Sequence, residues 1–356
     1  MDRRHFLANS AAFGFVNLFS GMTMAAASQN IYVPPEESRH AGTLMQWPIN
    51  KLVHPEAEFL DILQKTIADI ANTICEFEPV TMLAAEPVQH QAKRLLSSKV
   101  SFIDIPTDDL WCRDSGPLFA KQNDKLVVSH IQFNGWGGKQ SHKYDGGVAA
   151  LVANHLGLPL IDSGLVGEAG GVDHNGHGLL MAHESSWLNK NRNPGLTRNE
   201  IEKRLLTAYG ADKIIWSSGV YGEDITDYHI DSLARFTGPA SVLINLPETP
   251  DMKDPFHLAA IETHDKLVAA KLEVEVIPEP LKPRVKKFDF VASYANYYVC
   301  NKGVIAPQFG DRLTDRMAKQ ALKKHYPGRE VVTLNVDALG EIGGGIHCAT
   351  QQIPAS

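Results

Sequence analysis
The run Gly343-Gly344-Gly345-Ile346-His347-Cys348 sets a thiol behind three consecutive glycines. Glycines adopt backbone conformations closed to other residues and let the chain lie against a ligand. A cysteine placed there is a candidate nucleophile, because a thiolate attacks electrophilic carbon and needs donors and positive charge around it to form. The adjacent His347 and the polar Thr350-Gln351-Gln352 favour that role over a buried structural cysteine. Tyr228-His229-Ile230-Asp231 offers the complementary part. On a strand, His229 and Asp231 point to one side, where a carboxylate could orient and charge a proton-carrying imidazole. A surface histidine beside a solvated aspartate fits the same spacing.

Trp111-Cys112-Arg113-Asp114-Ser115-Gly116-Pro117 is a compact loop closed by Gly-Pro. The Asp114 carboxylate matches the fork of a guanidinium through two parallel hydrogen bonds, or it pairs with Arg113 to hold the turn. Glu168-Ala169-Gly170-Gly171 adds a second carboxylate at a glycine-rich turn, either a ligand contact or a solvated loop acid. His174 and His177, near Asp173 and His183, straddle a hairpin turn with no helical His-Glu-x-x-His arrangement and no paired cysteines. They read as structural histidines, with no metal implied. No phosphate-loop or dinucleotide glycine pattern stands between a strand and a helix, so no nucleotide cofactor is supported.

These residues need elements that bring them together. Ala57 to Glu76 places Phe59, Leu60, Leu63, Ile67, Ile70 and Ile74 at spacings of three and four, which predicts an amphipathic helix. Strand-like Val80 to Ala85, a helix over Gln89 to Ser98 and extended Val100 to Ile105 follow. A hairpin is predicted from Leu118 to Lys121 and Leu126 to Phe133 across Asn123-Asp124. The order then recurs. Gly147 to His155 reads as helix, Leu160 to Asp162 as strand, and Val172 to Met181 as a hairpin turning at Asn175-Gly176. Thr197 to Tyr209 is a helix with Thr197 and Glu200 as capping box and Gly210 as its stop. Ile214 to Trp216 and the hairpin of Leu233 to Phe236 with Val242 to Leu246 come next. Helix His257 to Ala270, strand Glu273 to Ile277, and hairpin Ser293 to Cys300 with Val304 to Pro307 make a fourth round. Helix Thr314 to His325 and strand Val331 to Val336 lead into the glycine run.

The unit is hairpin, helix, strand. Asp114, Glu168, His229, Asn296 and Cys348 recur with it, 52 to 67 residues apart. Five similar modules predict an α/β fold closed into a five-bladed propeller, whose equivalent loops meet around one axis. A doubly wound parallel sheet is the competing architecture, but a hairpin in every round predicts antiparallel or mixed pairing.

The 356 residues, 44% apolar, with 34 Lys+Arg against 41 Asp+Glu, describe an ordinary folded protein. A net charge of −7 without a basic run argues against nucleic acid as partner. No stretch after residue 30 has 18 uninterrupted apolar residues, so nothing downstream is expected to span a bilayer. Arg3-Arg4 precede an apolar run, Ala11 to Met24, that ends in Ala25-Ala26-Ala27. That reads as a twin-arginine export signal over residues 1–27, with a periplasmic or extracellular mature protein. Its removal takes Asp2, Arg3 and Arg4 and moves the charge from −7 to −8. Residues 31–356 then form one domain. Cys75, Cys112, Cys300 and Cys348 contain no Cys-x-x-Cys pair and are too few for a disulfide-stapled scaffold.

Several segments in order resemble the agmatine deiminase and Porphyromonas-type peptidylarginine deiminase family of the guanidino-modifying superfamily. They are Glu37-Ser38-Arg39-His40 to Trp47-Pro48, Trp111 to Phe119, Glu168 to Met181, Asn191-Arg192-Asn193-Pro194, Asp224 to Phe236, Ser293 to Pro307 with Gly310-Asp311, and Gly343 to Pro354. The resemblance implies a five-bladed α/β propeller, called pentein-like, and hydrolysis of a guanidino group to a ureido group and ammonia. It implies Cys348 as nucleophile, His229 as general acid and base, and Asp114 and Asp231 as guanidinium ligands. Asn296, Trp111, Arg113, Glu168 and Asp227 are the further expected substrate contacts. The implied partner is a cationic guanidino small molecule or peptide, with a place in polyamine metabolism and putrescine formation. No metal or organic cofactor is implied, and the oligomeric state is left open. Agmatine deiminases typically carry Asp four residues before the histidine, Gly just before it, and Asn two before the His-Cys pair. Here those positions are Ile225, Tyr228 and Gly345. An amidinotransferase would use the same covalent adduct, and an exported guanidine-binding protein would need the carboxylates alone.

Overall fold
In the computed structural model, which describes residues 31–287 and 289–355, the elements alternate as the periodicity predicts. The proposed export signal, residues 1–27, lies outside the described residues. Helix Ala57–Ile74 buries Leu60, Leu63, Ile67, Ile70 and Ile74 on one face. Each such side chain contributes about 1.5–3 kcal/mol relative to exposure. Helix Arg198–Tyr209 has both halves of its capping box, and Gly210 stops it in the left-handed region at φ 66°. The second helix is Glu86–Ala92 rather than Gln89 to Ser98, because Pro87 in its first turn starts it earlier.

The strands form five separate sheets, a mixed α/β fold. In the second sheet, Leu118–Gln122 pairs antiparallel with Lys125–Gln132, and helix Val148–His155 returns the chain to the parallel strand Leu160–Val166. Three more sheets repeat that plan. Val172–His174, Leu179–His183 and Lys213–Ser217 make the third, and Ala234–Phe236, Ser241–Leu246 and Glu273–Pro278 the fourth. Tyr298–Val299, Gly303–Gln308 and Glu330–Asn335 make the fifth. Each last strand is reached through a helix, since a parallel neighbour needs a crossover.

The first sheet departs from the expected hairpin. His40–Gln46 runs parallel to Val80–Leu83, and its antiparallel partner is Thr350–Pro354 from the far end of the chain. Sheet pairing thus joins residues about three hundred apart, and Cys348 sits two residues before that closing strand. The fifth hairpin is also shorter than Ser293 to Cys300. Only Tyr298–Val299 is strand, and Tyr294 N–H donates instead to Asn245 Oδ1 at 2.9 Å, which turns 293–297 into a loop.

The polar landmarks share one structural address. Asp114, Glu168, His229, Asn296 and Cys348 each lie two to five residues before the first antiparallel strand of their sheet. Residues 230–232 form a 3₁₀ turn rather than a strand, so His229 and Asp231 are not strand neighbours on one side. The chain is redirected there by Asp227 and Tyr228, both left-handed at φ 58° and 64°.

Among the described residues no helix is long and apolar enough to cross a membrane. Cys75, Cys112, Cys300 and Cys348 are all buried and unpaired. Protein unfolded in denaturant without reductant is therefore expected to titrate four thiols with a chromogenic thiol reagent. Two or none would require a disulfide that this fold does not hold.

Candidate active site
Cys348, His229, Asp231 and Asp114 converge although they come from the leading loops of three different sheets. All are buried, with fractional exposures of 8%, 3%, 0% and 6%. The Cys348 thiol accepts from Asn296 Nδ2 at 3.0 Å and faces Asp231 Oδ2 at 3.6 Å. The Asn296 carbonyl oxygen in turn accepts the Cys348 N–H at 3.3 Å, so one amide fixes both backbone and sulfur. His229 Nδ1 lies 3.7 Å from Asp114 Oδ1, and its Nε2 lies 3.1 Å from Glu168 Oε2. Trp136 Nε1–H donates to Asp114 Oδ2 at 2.9 Å, and Gly170 N–H to Asp114 Oδ1 at 3.3 Å.

The charge balance explains the titration of each group. Burial alone would lower His229, but the Asp114, Glu168 and Asp231 carboxylates overcome it and raise the imidazole to about 9. Asp114 is pushed up to about 6, because burial and the neighbouring Asp231 and Glu168 outweigh His229 and the Trp136 hydrogen bond. Asp231 and Glu168 go the other way. Burial would raise both, but His347 and His229 hold Asp231 low, and His229 with Arg192 hold Glu168 low. The Cys348 thiol is raised well above its ordinary value by burial first and by Asp231 and Asp114 next. The positive charge expected from His347 goes elsewhere: its Nδ1 meets Asp231 Oδ2 at 2.7 Å and its Nε2 meets Glu36 Oε2 at 2.9 Å. Asp231 Oδ1 is buried and finds no hydrogen-bond partner among the described residues.

Three of the expected substrate contacts, Glu168, Asp227 and Arg113, have other work. Glu168 accepts from Arg192 Nε with both oxygens, at 3.0 and 2.9 Å, besides facing His229. Asp227 accepts from Arg192 Nη1 at 2.7 Å and from Lys139 Nζ at 2.9 Å. Glu168 therefore holds His229 directly, and Asp227 supports it through the buried Arg192. Arg113 makes no pair with Asp114. Its guanidinium points to Glu36 at 3.2 Å and Gln352 at 2.8 Å, and so supports the loop from beneath. The Trp111 indole lies where a Cβ on Gly344 would approach it to 2.6 Å, so the glycine run packs flat on that ring. Among the described residues no group of three or more His, Cys, Asp or Glu is placed to hold a metal ion. His174 packs on Tyr209, and burial pushes it down to about 3.

Arg192, Trp136 and Glu36 carry parts of this site that no motif announced. Arg192 was visible only inside Asn191-Arg192-Asn193-Pro194, without a role. The three departures from agmatine deiminases also have structural explanations. Tyr228 takes the left-handed backbone that glycine adopts freely, and its ring is held between His183 at 4.7 Å and Phe256 at 5.0 Å. A Cβ on Gly345 would stand 2.5 Å from Asn296 Oδ1, so Asn296 fills the space that a side chain at 345 would need. Ile225 packs against the apolar cluster that contains Trp111 and Cys348.

Residues 32–354 match the family of Porphyromonas-type peptidyl-arginine deiminases. A Legionella pneumophila (strain Paris) protein, provisionally named agmatine deiminase, is 32% identical over 349 residues, which cover 94% of this chain and 99% of that one. The agmatine deiminase of Enterococcus faecalis shares the fold with a TM-score of 0.84 and 25% identity, over 91% of this chain and 96% of its own. A C. jejuni agmatine deiminase with cysteine replaced by serine, solved with substrate bound, gives 0.83 and 25%, over 92% and 97%.

Gly170 lies close against the charged groups. A Cβ there would lie 2.6 Å from Asp114 Oδ1, 2.9 Å from His229 Nδ1 and 3.2 Å from Asp231 Oδ2. Gly170→Ala is expected to weaken binding of a small guanidine such as methylguanidine at least tenfold by calorimetry, because the methyl displaces one carboxylate. Unchanged affinity would show that the cation sits elsewhere.

Proposed function
The chain belongs to the Porphyromonas-type peptidyl-arginine deiminase family, and from that premise we propose that it hydrolyses a guanidino group to a ureido group and ammonia, using Cys348 as nucleophile. The observation that carries this reading is the meeting of the Cys348 thiol, the His229 imidazole and two under-compensated carboxylates in one buried pocket.

A guanidinium between Asp114 and Asp231 supplies what each lacks: a cation for the raised Asp114 and donors for the orphan Asp231 Oδ1. Burial holds the proton on Cys348 first and the Asp231 and Asp114 charges next; the cation offsets those two charges and favours the thiolate, whose proton passes to solvent. The thiolate attacks the guanidinium carbon and a C–S bond forms. The tetrahedral adduct collapses as a C–N bond breaks, and protonated His229 gives its proton to the leaving ammonia. His229 then takes a proton from a water that attacks the thiouronium carbon. Collapse of that second adduct breaks C–S as its hydroxyl proton passes to solvent, returning the thiolate and releasing the ureido product. Glu168, itself held by Arg192, keeps the imidazole oriented through both steps.

Site groups exposed by 8% or less favour a thin, unbranched guanidine over an arginine on a folded protein surface. Agmatine is such a molecule, and the similar proteins bear its name. We also read the five sheets as blades of one α/β propeller, with residues 31–356 as a single domain. Residues 1–27 are proposed to direct export, to the periplasm or the extracellular space.

Agmatine, free arginine and an arginine peptide are to be compared for release of ammonia and ureido product. Agmatine is expected to be preferred, and Cys348→Ala to lower kcat at least about a thousandfold. Full activity in that variant overturns the mechanism. Without the proton donor, His229→Ala is expected to lose about 10²–10⁴-fold.

The pH profile follows from the same groups. Asp114 must be ionised to hold the cation, so kcat/KM rises with pH through about 6. His229 must enter protonated, so kcat/KM falls as pH rises through about 9. A profile flat between 5 and 10 would contradict both assignments.

A further inference from the structure
Glu36 lies in the loop between strands Ile31–Tyr32 and His40–Gln46, outside every helix and strand, and is buried. Its Oε2 accepts from His347 Nε2 at 2.9 Å, Arg235 Nη2 at 3.1 Å and Arg113 Nη2 at 3.2 Å. Its Oε1 accepts the Val299 N–H at 2.8 Å. Every one of these partners adjoins a residue of the site. Arg113 precedes Asp114, His347 precedes Cys348, Val299 follows Asn296 by three, and Arg235 follows Asp231 by four. The Arg113 N–H also donates to the Cys348 carbonyl at 3.0 Å, and Arg235 Nη1 to the Tyr297 carbonyl at 2.9 Å.

We infer that Glu36 is a positioning residue for the deiminase reaction: it anchors the His347 ring, and through that ring fixes the Asp231 carboxylate against the substrate cation. The inference rests on the deiminase reading given above. The His347 imidazole spans two carboxylates, with one ring nitrogen on each. The ring is thereby held at both ends, and its Nδ1 is fixed on Asp231, whose other charged neighbours are His229 and Arg235 on the attractive side and Asp114 and Cys348 on the repulsive side. Glu36 in turn faces Arg113, Arg235 and His347, with Glu37 and Asp173 as its acidic neighbours.

Glu36→Gln replaces the anionic acceptor at Nε2 by a neutral amide while keeping the volume. Without the anionic anchor at Nε2 the His347 ring is free to turn, and Asp231 Oδ2 loses its fixed partner. The Asp231 carboxylate is then less firmly aimed at the cation. Because Asp231 contacts the cation, substrate affinity suffers more than the chemical step.

The full chain carrying Glu36→Gln, His347→Gln or both is to be assayed across pH. For each single variant the expected results are KM at least tenfold higher and kcat within about threefold, with the acid limb of kcat/KM still set by Asp114. The double variant is expected to be no worse than the worse single, as for residues acting through one another. Histidine ¹⁵N NMR gives a readout independent of turnover: the His347 ring signals are expected to shift in Glu36→Gln, because the partner of Nε2 changes. Wild-type KM in either single variant, multiplying losses, or an unchanged His347 signature in Glu36→Gln overturns the inference. Should Glu36→Gln fail to fold, His347→Gln decides alone by its KM against its kcat. A wild type inactive on every guanidine, with the His347 signature intact, would overturn the deiminase reading instead.

Discussion
A carboxylate removed from water must find a cation or take up a proton, and this site buries four within one neighbourhood: Glu36, Asp114, Glu168 and Asp231. The penalty for an uncompensated buried charge is several kcal/mol, and removing one partner of a buried pair costs about 3–5 kcal/mol. Three of them are compensated by side chains from other parts of the chain. Glu168 takes Arg192 and His229, Asp231 takes His347, and Glu36 takes Arg113, Arg235 and His347. Packing the loops that carry these residues is therefore coupled to neutralising the site.

Asp114 is the member left short. It has an indole N–H, a backbone N–H and an imidazole 3.7 Å away, and its pKa rises in consequence. One oxygen of Asp231 is likewise unpartnered. In the reading proposed above, the fold stores an electrostatic deficit that a planar cation fills. Burial and the same deficit together keep Cys348 protonated until that cation arrives. Thiol activation and substrate recognition are then one event, which protects the nucleophile from other electrophiles and oxidants. His347, which the sequence placed beside Cys348 as a source of positive charge, acts on Asp231 at 2.7 Å instead.

The module order was legible because its signals are local: apolar spacing along Ala57–Ile74, the Thr197–Glu200 capping box, and the Asn175-Gly176 turn. Five landmark residues recurring with the modules also pointed to one site. What local signals do not carry is pairing between distant segments. That Thr350–Pro354 completes the sheet of His40–Gln46 depends on packing across the whole chain. The partner choices of buried charges are hidden for the same reason. Arg113 stands next to Asp114 yet bonds Glu36, 77 residues away, and Glu168 is claimed by Arg192 as well as His229. Sequence adjacency favours the wrong pair because neighbouring side chains in a turn diverge.

The Asp227–Tyr228 step shows how the backbone serves this arrangement. Two successive non-glycine residues in the left-handed region cost about 1–3 kcal/mol each, so their surroundings must hold them there. Asp227 is held by Arg192, Lys139 and the Gly222 N–H, and Tyr228 by its packing on His183 and Phe256 and by its carbonyl, which lies 2.7 Å from His183 Nδ1. The result is a sharp turn that ends at His229 and aims its ring between Asp114 and Glu168 rather than along a strand. Glycine at 228 would allow the turn, whereas tyrosine fixes it from the side. The histidine proposed to move protons in both half-reactions is thus set by a strained turn locked at both ends, by charge at Asp227 and by packing at Tyr228.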